Sequence, residues 1–385
     1  MNILAKRERI EEIQYLRGFA FLAVVLQHAI GHYAYLPESG VQDGAMLGIL
    51  LIAAKFAVPM FIFITGLVLF YNYTSEVSFW SFIGKRCKDI LVPYILWSTV
   101  YALWFQTGGE GLWSGLKIVV ADWFAGKASY HLWYVVMSIQ LYLLFPPIQR
   151  AVLPLWRRSK PWTLRAGFVL LCLVYVLLTT KVGVIGEAAS KLHIPVLTPL
   201  FTEYADRNAL YFFIYFVMGA AAGLNLQAWK QWMLKRQGVF LSLYAILSCI
   251  LFYKIMASFR TKDGYVIQYN DTLLVQPFMA VFLLLSVVAM CIAAVWLHQY
   301  GNGRLKKLFN LLGQYSYGAY LAHALMLTAG TFAADALFPG WNVSLRTVIA
   351  FIFCALLSVL TAAALGKFRL GRFMTGAPAP RKRDV

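Results

Sequence analysis

Long apolar runs alternate with short polar segments from one end of the chain to the other. Ten of these runs approach or exceed the length that a bilayer-spanning helix needs. They lie at roughly 13–35, 46–71, 89–106, 131–149, 166–180, 208–226, 238–257, 274–297, 308–330 and 347–366. At 1.5 Å of rise per residue, about 20 residues cover the roughly 30 Å hydrocarbon core. The pattern therefore predicts an all-α fold: a polytopic membrane protein with about ten transmembrane helices. A membrane domain is expected over 1–369, followed by a basic, polar tail over 370–385 that ends GAPAPRKRDV and is predicted to be disordered.

Composition supports that class. Of the 385 residues, 61% are hydrophobic and 13% charged, and the mean hydropathy is +0.68, too apolar for a soluble fold of this size. No separate soluble domain is visible. The first apolar segment is long enough to span and stay, so no cleavable signal peptide is expected. A net charge of +18 would suit a nucleic-acid partner, but no basic run interleaves with aromatics in a soluble segment, and nucleic acid is set aside. The basic residues mark topology instead. Of the 34 Lys and Arg, 23 lie in the N-terminal segment, the even-numbered loops and the tail. That bias places both termini in the cytoplasm. Cys87 sits at a helix end, and Cys172, Cys249, Cys291 and Cys354 lie within apolar runs, so no external disulfide framework is expected.

Polar groups inside apolar runs are the candidates for chemistry, because lipid tolerates them poorly. The first run, IQYLRGFAFLAVVLQHAIGHYAY, carries Arg17 and His28, 11 residues apart. At 100° per residue they share one helix face, separated by about 16 Å along the axis. Two readings stand: a pair facing the protein interior, or a snorkelling arginine with a hydrogen-bonded packing histidine. On the orientation above, His28 lies in the outer half of the membrane. Lys55 in the second run lies at a similar depth if that helix starts at Met46; if it starts later, Lys55 simply reaches the outer surface. Pro59 and Gly66 are expected to bend or loosen this helix. At the start of the third run, Lys85, Arg86 and Lys88 are either positive-inside anchors or a phosphate site, and Pro93 predicts a kink.

The expected external loop 107–130 holds Gly108, Gly109, Gly111, Trp113, Trp123 and Tyr130, and leads to His131 and Trp133. Aromatics at this level form interfacial belts or stack on sugar faces. Glu187, His193, Glu203 and Asp206, in the expected external loop 181–207, are further candidates for an acceptor site, although their spacing does not require it. In the ninth run, Ser316, Tyr317, Tyr320 and His323 put polar groups into one apolar helix, with Ser316, Tyr320 and His323 on one stripe. His28 and His32 have the i, i+4 spacing of metal ligands, but without the Glu of HExxH no metal is expected.

Taken together, several segments resemble the acyltransferase-3 family of integral membrane acyltransferases. They are LRG at Leu16–Gly18 with Arg17 and His28, VPMFIFITG in the second run, KRCK…VPY at the third and HLWYV at the fourth. YFVMGAAAG at Tyr215–Gly223 and YSYGAYLAH at Tyr315–His323 complete the set. Their order covers nearly the whole chain and is similar to stand-alone members. The resemblance implies a multi-pass protein of a bacterial plasma membrane. It implies transfer of an acyl group, acetyl or succinyl, from cytoplasmic acyl-CoA to a hydroxyl of an envelope glycan, lipid-linked or free. Arg17 and His28 match the family's arginine and its essential histidine. The family's Arg-x-x-Arg is half present, with Asp89 in the second place. The implied cofactor-binding residues are Arg17, Lys85, Arg86 and Lys88. The implied catalytic residue is His28, as general base; Lys55 or Tyr317 is expected to stabilise the oxyanion, because both lie in runs at plausible depth, and His323 on the polar stripe is a further catalytic candidate. His131 and Trp133 are expected to bind the acceptor. A polysaccharide exporter or flippase without acyl transfer is the alternative.

Overall fold

The computed structural model describes residues 10–105, 112–195, 197–262 and 264–376. Its helices run in chain order as α1 Glu11–Tyr33, α2 Val41–Ala54, α3 Ala57–Asn72, α4 Phe79–Arg86, α5 Val92–Phe105, α6 Leu112–Ala125, α7 Trp133–Arg158, α8 Pro161–Thr180 and α9 Val182–Leu192. They continue as α10 Leu197–Phe201, α11 Phe213–Leu224, α12 Leu226–Lys235, α13 Gln237–Ser258, α14 Pro277–Tyr300, α15 Gly303–Leu337, α16 Val343–Lys367 and α17 Arg369–Thr375. The only strands among the described residues are a two-residue pair, Arg260–Thr261 with Gly264–Tyr265. The all-α expectation therefore holds.

Among the described residues, seven helices are long and apolar enough to cross a bilayer: α1, the joined α2–α3, α7, α8, α13, α14 and α16. The segment Ala209–Leu224 with α12, bent by 107°, would make an eighth. Each of the ten apolar runs contains helix, but two owe their shortfall to recognisable causes. The third run sits in a helix that passes from α4 through a π-turn, Cys87–Leu91, into a 14-residue α5. The ninth sits in α15, whose 35 residues begin on Arg304, Lys306 and Lys307 and carry the polar stripe.

Two helix pairs are drawn together by glycine. A Cβ on Gly66 would stand 2.2 Å from the Phe216 carbonyl oxygen, and one on Gly219 would stand 2.0 Å from that of Phe63, so α3 and α11 touch backbone to backbone. Likewise a Cβ on Gly313 would lie 2.1 Å from the Gln14 carbonyl oxygen, which locks α15 against α1. These crossings use small residues as membrane helices commonly do. The second run breaks at Lys55–Phe56 rather than at Pro59 itself. The cause is Pro59 all the same: it lacks the N–H for the Lys55 carbonyl and its ring crowds that carbonyl. The Gln27 side chain donates to the neighbouring free carbonyl of Ala54 at 2.8 Å.

Two segments depart from the sequence reading. Much of the expected loop 107–130 is helix α6; its glycines 108, 109 and 111 lie outside the described residues. The C-terminal end of α6 returns to the middle of the Phe79–Phe105 helix, where the Tyr94 hydroxyl donates to the Trp123 carbonyl at 2.8 Å and the Trp123 indole to Thr99 at 3.1 Å. Gly126, at φ +65°, then turns the chain toward α7. Second, the expected tail begins as α17. The Trp97 indole donates to the Met374 carbonyl at 2.9 Å, and Thr375 is buried.

Candidate functional site

The α1–α15 crossing brings the polar groups of two helices face to face. At the end of α1 that carries Arg17, a cavity of about 290 Å³ opens between α1, α3, α7 and α15, closed at one side by Thr375 and Gly376. Arg17 and Arg86 both line it, with Thr65, Ser138, Gln314, Ser316, Tyr317 and the aromatics described next. The Arg86 guanidinium lies 5.1 Å from the Phe82 ring and 5.5 Å from the Tyr142 ring, which fixes it without an acidic partner among the described residues. Two half-buried guanidiniums facing one cavity have the chemistry to attract phosphate through paired N–H donors. Lys85 and Lys88 are exposed and do not line it. Adjacent cations on one helix point 100° apart, so the linear cluster divides into one inward residue and two outward ones. The Tyr317 hydroxyl donates to the Ile90 carbonyl at 2.8 Å, which ties it to the π-turn at the arginine level.

Farther along α1, His28 meets three other aromatic groups. Its ring stacks on His323 at 5.2 Å and packs against Tyr130 at 4.5 Å. His131 stands edge-on to His323 at 4.4 Å, and Tyr320 lies 5.3 Å from His131. Lys55, at the α2–α3 break, is near enough to act on His28 electrostatically. The structure therefore gathers His28, His131 and His323 in one place, with Lys55 at the nearby α2–α3 break. His323 and His131 are fully buried, His28 is half-buried, and Tyr130 is 53% exposed and covers the group. Trp133 stands outside it, packed on Phe212 at 6.0 Å.

The two regions do not form one open channel. Phe61, Tyr134 and Tyr320 end the arginine cavity as a triangle of rings, with centroids 5.7–6.2 Å apart, and Tyr320 then touches His131 and His323. The residues placed on the expected external loop 181–207 do not join the site. Glu187 pairs with Lys191 on exposed α9, and His193 bonds the Lys191 carbonyl. Glu203 accepts from Lys127, which holds its carboxyl below the usual carboxylate range. With the bond from Arg207 to the Ala125 carbonyl, that pair pins the turn that carries Ser129, Tyr130 and His131.

Sequence reasoning missed Ser129 and Gln27 altogether and left Tyr130 among the belt aromatics. Only the aromatic run YHLWY hinted at this cluster. All five cysteines are free, and the Cys354 thiol donates to the His323 carbonyl at 3.3 Å. No group of three or more His, Cys, Asp or Glu able to hold a metal occurs among the described residues.

A family model described as an acyltransferase domain matches residues 10–363. No curated protein and no solved structure matches the chain.

Proposed function

The chain belongs to the acyltransferase-3 family of membrane acyltransferases, and from that premise we propose that it moves an acyl group from acyl-CoA to a hydroxyl of an envelope glycan. The observation that carries this reading is the Arg17–His28 face. One end lies in a cavity with a second guanidinium, and the other lies in a cluster of imidazoles. Acetyl-CoA is the proposed donor, with succinyl as the other small acyl group that suits it. The proposal includes a ten-span topology in a bacterial plasma membrane, with both ends and the arginine cavity on the cytoplasmic side. Donor and acceptor then approach from opposite faces.

Arg17 and Arg86 hold the phosphates of the donor. Its thin arm passes between Phe61, Tyr134 and Tyr320, which part to admit it. His28 takes the proton of the acceptor hydroxyl as its oxygen attacks the thioester carbonyl carbon. Collapse breaks the C–S bond, and the same proton goes to the departing thiolate. Lys55 supplies positive charge to the developing oxyanion, since a preorganised donor there acts most strongly on the transition state. His323 stacks beneath His28 and holds its ring plane. Tyr130 offers a face to the acceptor sugar, and His131 lies beneath it.

The test is release of free CoA by the purified full chain in detergent, given acetyl-CoA and extracted envelope glycan, with mass spectrometry of the glycan. Turnover together with an added acetyl mass supports the reading. Glycan export into vesicles without any CoA release would replace it with a transporter. Arg86→Ala is expected to raise the KM for acetyl-CoA about 10-fold or more, from loss of charged hydrogen bonds. Lys85→Ala and Lys88→Ala are expected to change it by less than about threefold, because exposed charges are screened. Equal effects from all three would remove the cavity from donor binding. Lys55→Met should lower kcat about 10²-fold with KM little changed; unchanged turnover would strike Lys55 from the mechanism.

A further inference from the structure

Two ring nitrogens in the histidine cluster are buried and make no hydrogen bond among the described residues: Nε2 of His131 and Nε2 of His323. Their protonation follows from what the opposite nitrogen touches. On His323, Nδ1 lies against the Tyr320 carbonyl oxygen. A carbonyl only accepts, so Nδ1 carries the proton and Nε2 is a bare acceptor. On His131, Nδ1 lies 3.0 Å from the Ser129 hydroxyl. Ser129 is buried, and its hydroxyl has no other partner among the described residues. Ser129 is assigned as the donor to His131 Nδ1, because this leaves one buried group unmatched, the Nε2–H, where the reverse tautomer leaves both the hydroxyl proton and a bare Nε2 unmatched. That leaves the proton of His131 on Nε2. The Leu321 carbonyl, which accepts the Tyr101 hydroxyl at 2.7 Å, is the backbone acceptor beside the His131 ring. The two histidines are thus opposites: one free nitrogen donates and the other accepts.

We propose that His131 is a further catalytic residue of the transfer, with its neutral Nε2–H donating to the thioester oxygen as it becomes an oxyanion, and that Ser129 is the positioning residue that keeps the proton there. The inference rests on the acyl-transfer reading above. No proton leaves His131 in the step. Its N–H bond strengthens its hold on the oxygen while the new C–O bond forms, and relaxes as the C–S bond breaks. A neutral imidazole suits this position because His28 and His323 lie beside it, where a permanent second cation would oppose protonation of His28. His323 cannot do this work, since its free nitrogen has no proton to offer.

Four variants of the full chain test the proposal, with kcat and KM from CoA release and acetyl-CoA affinity from calorimetry. His131→Leu should lose about 10²- to 10³-fold in kcat, the usual cost of removing an oxyanion donor, with affinity within about threefold. His131→Gln, whose amide N–H reaches a similar point, should recover at least 10-fold of that loss. Ser129→Ala should lower kcat without raising KM, and Ser129→Thr should restore it. A role in packing alone predicts no advantage of Gln over Leu, and that result overturns the proposal. So does a kcat for Ser129→Ala equal to wild type. If His131→Leu does not fold, the Gln and Ser129 variants still decide. Absence of CoA release by wild type would instead remove the acyl-transfer reading itself, and this inference with it.

Discussion

His28→Ala is expected to cut acetyl-CoA turnover by about 10²- to 10⁴-fold, the range that a positioned general base contributes. The loss should fall on kcat. On the proposed reading the donor's phosphates sit at Arg17 and Arg86, about three helical turns from His28, so acetyl-CoA affinity is expected to stay near wild type. His32 is the internal control. It lies on the same helix one turn farther on, but it is exposed and stands edge-on to the Tyr33 ring at 4.9 Å, outside the histidine cluster. His32→Ala should turn over normally. Stopped-flow or steady-state measurement of free thiol on both variants checks the pair. A His28→Ala enzyme within threefold of wild type would show that another group takes the proton. The buried acceptor nitrogen of His323, stacked at 5.2 Å, would be the next candidate.

The sequence made these residues visible because helices in lipid simplify the reading. The period of 3.6 puts Arg17 and His28 on one face, and puts Ser316, Tyr320 and His323 on another, and both faces turn inward. Tyr317, expected from the sequence to be catalytic, lies one residue off that stripe, and its hydroxyl donates to the Ile90 carbonyl. What could not be read depends on contacts between distant segments. The stretch Leu112–Ala125 holds Lys117 and Asp122 among Trp and Gly and is too short to span, so it resembles a surface loop. Its bonds with Tyr94 and Thr99, and that of Arg207 to the Ala125 carbonyl, show that it folds back into the bundle. The tautomers of His131 and His323 are likewise set by neighbours two and three residues away, at a scale below any periodicity. The ordered start of the tail had no signal either. It follows from the Trp97 indole finding an acceptor on Met374, 277 positions later.

Gly313→Ala is expected to do damage out of proportion to one methyl group. Its Cβ would sit 2.1 Å from the Gln14 carbonyl oxygen, and backbone on both sides leaves nothing flexible to yield. The helices α1 and α15 must separate, and overpacking of this kind costs about 1–3 kcal/mol or more. These are also the two helices that set His28 against His323, so activity should fall further than stability. A displacement of even an ångström between reacting groups commonly costs about 10²-fold in rate. Gly31→Ala supplies the comparison. That glycine lies on α1 with nothing within 4 Å of its virtual Cβ, so alanine there should be neutral or stabilise by up to about 1 kcal/mol through helix propensity. Thermal unfolding in detergent, followed by tryptophan fluorescence, separates the two. A Gly313→Ala protein with the wild-type midpoint and full turnover would mean that α1 and α15 do not cross as closely as described. The face-to-face placement of the histidines, on which the proposed chemistry depends, would fall with that crossing.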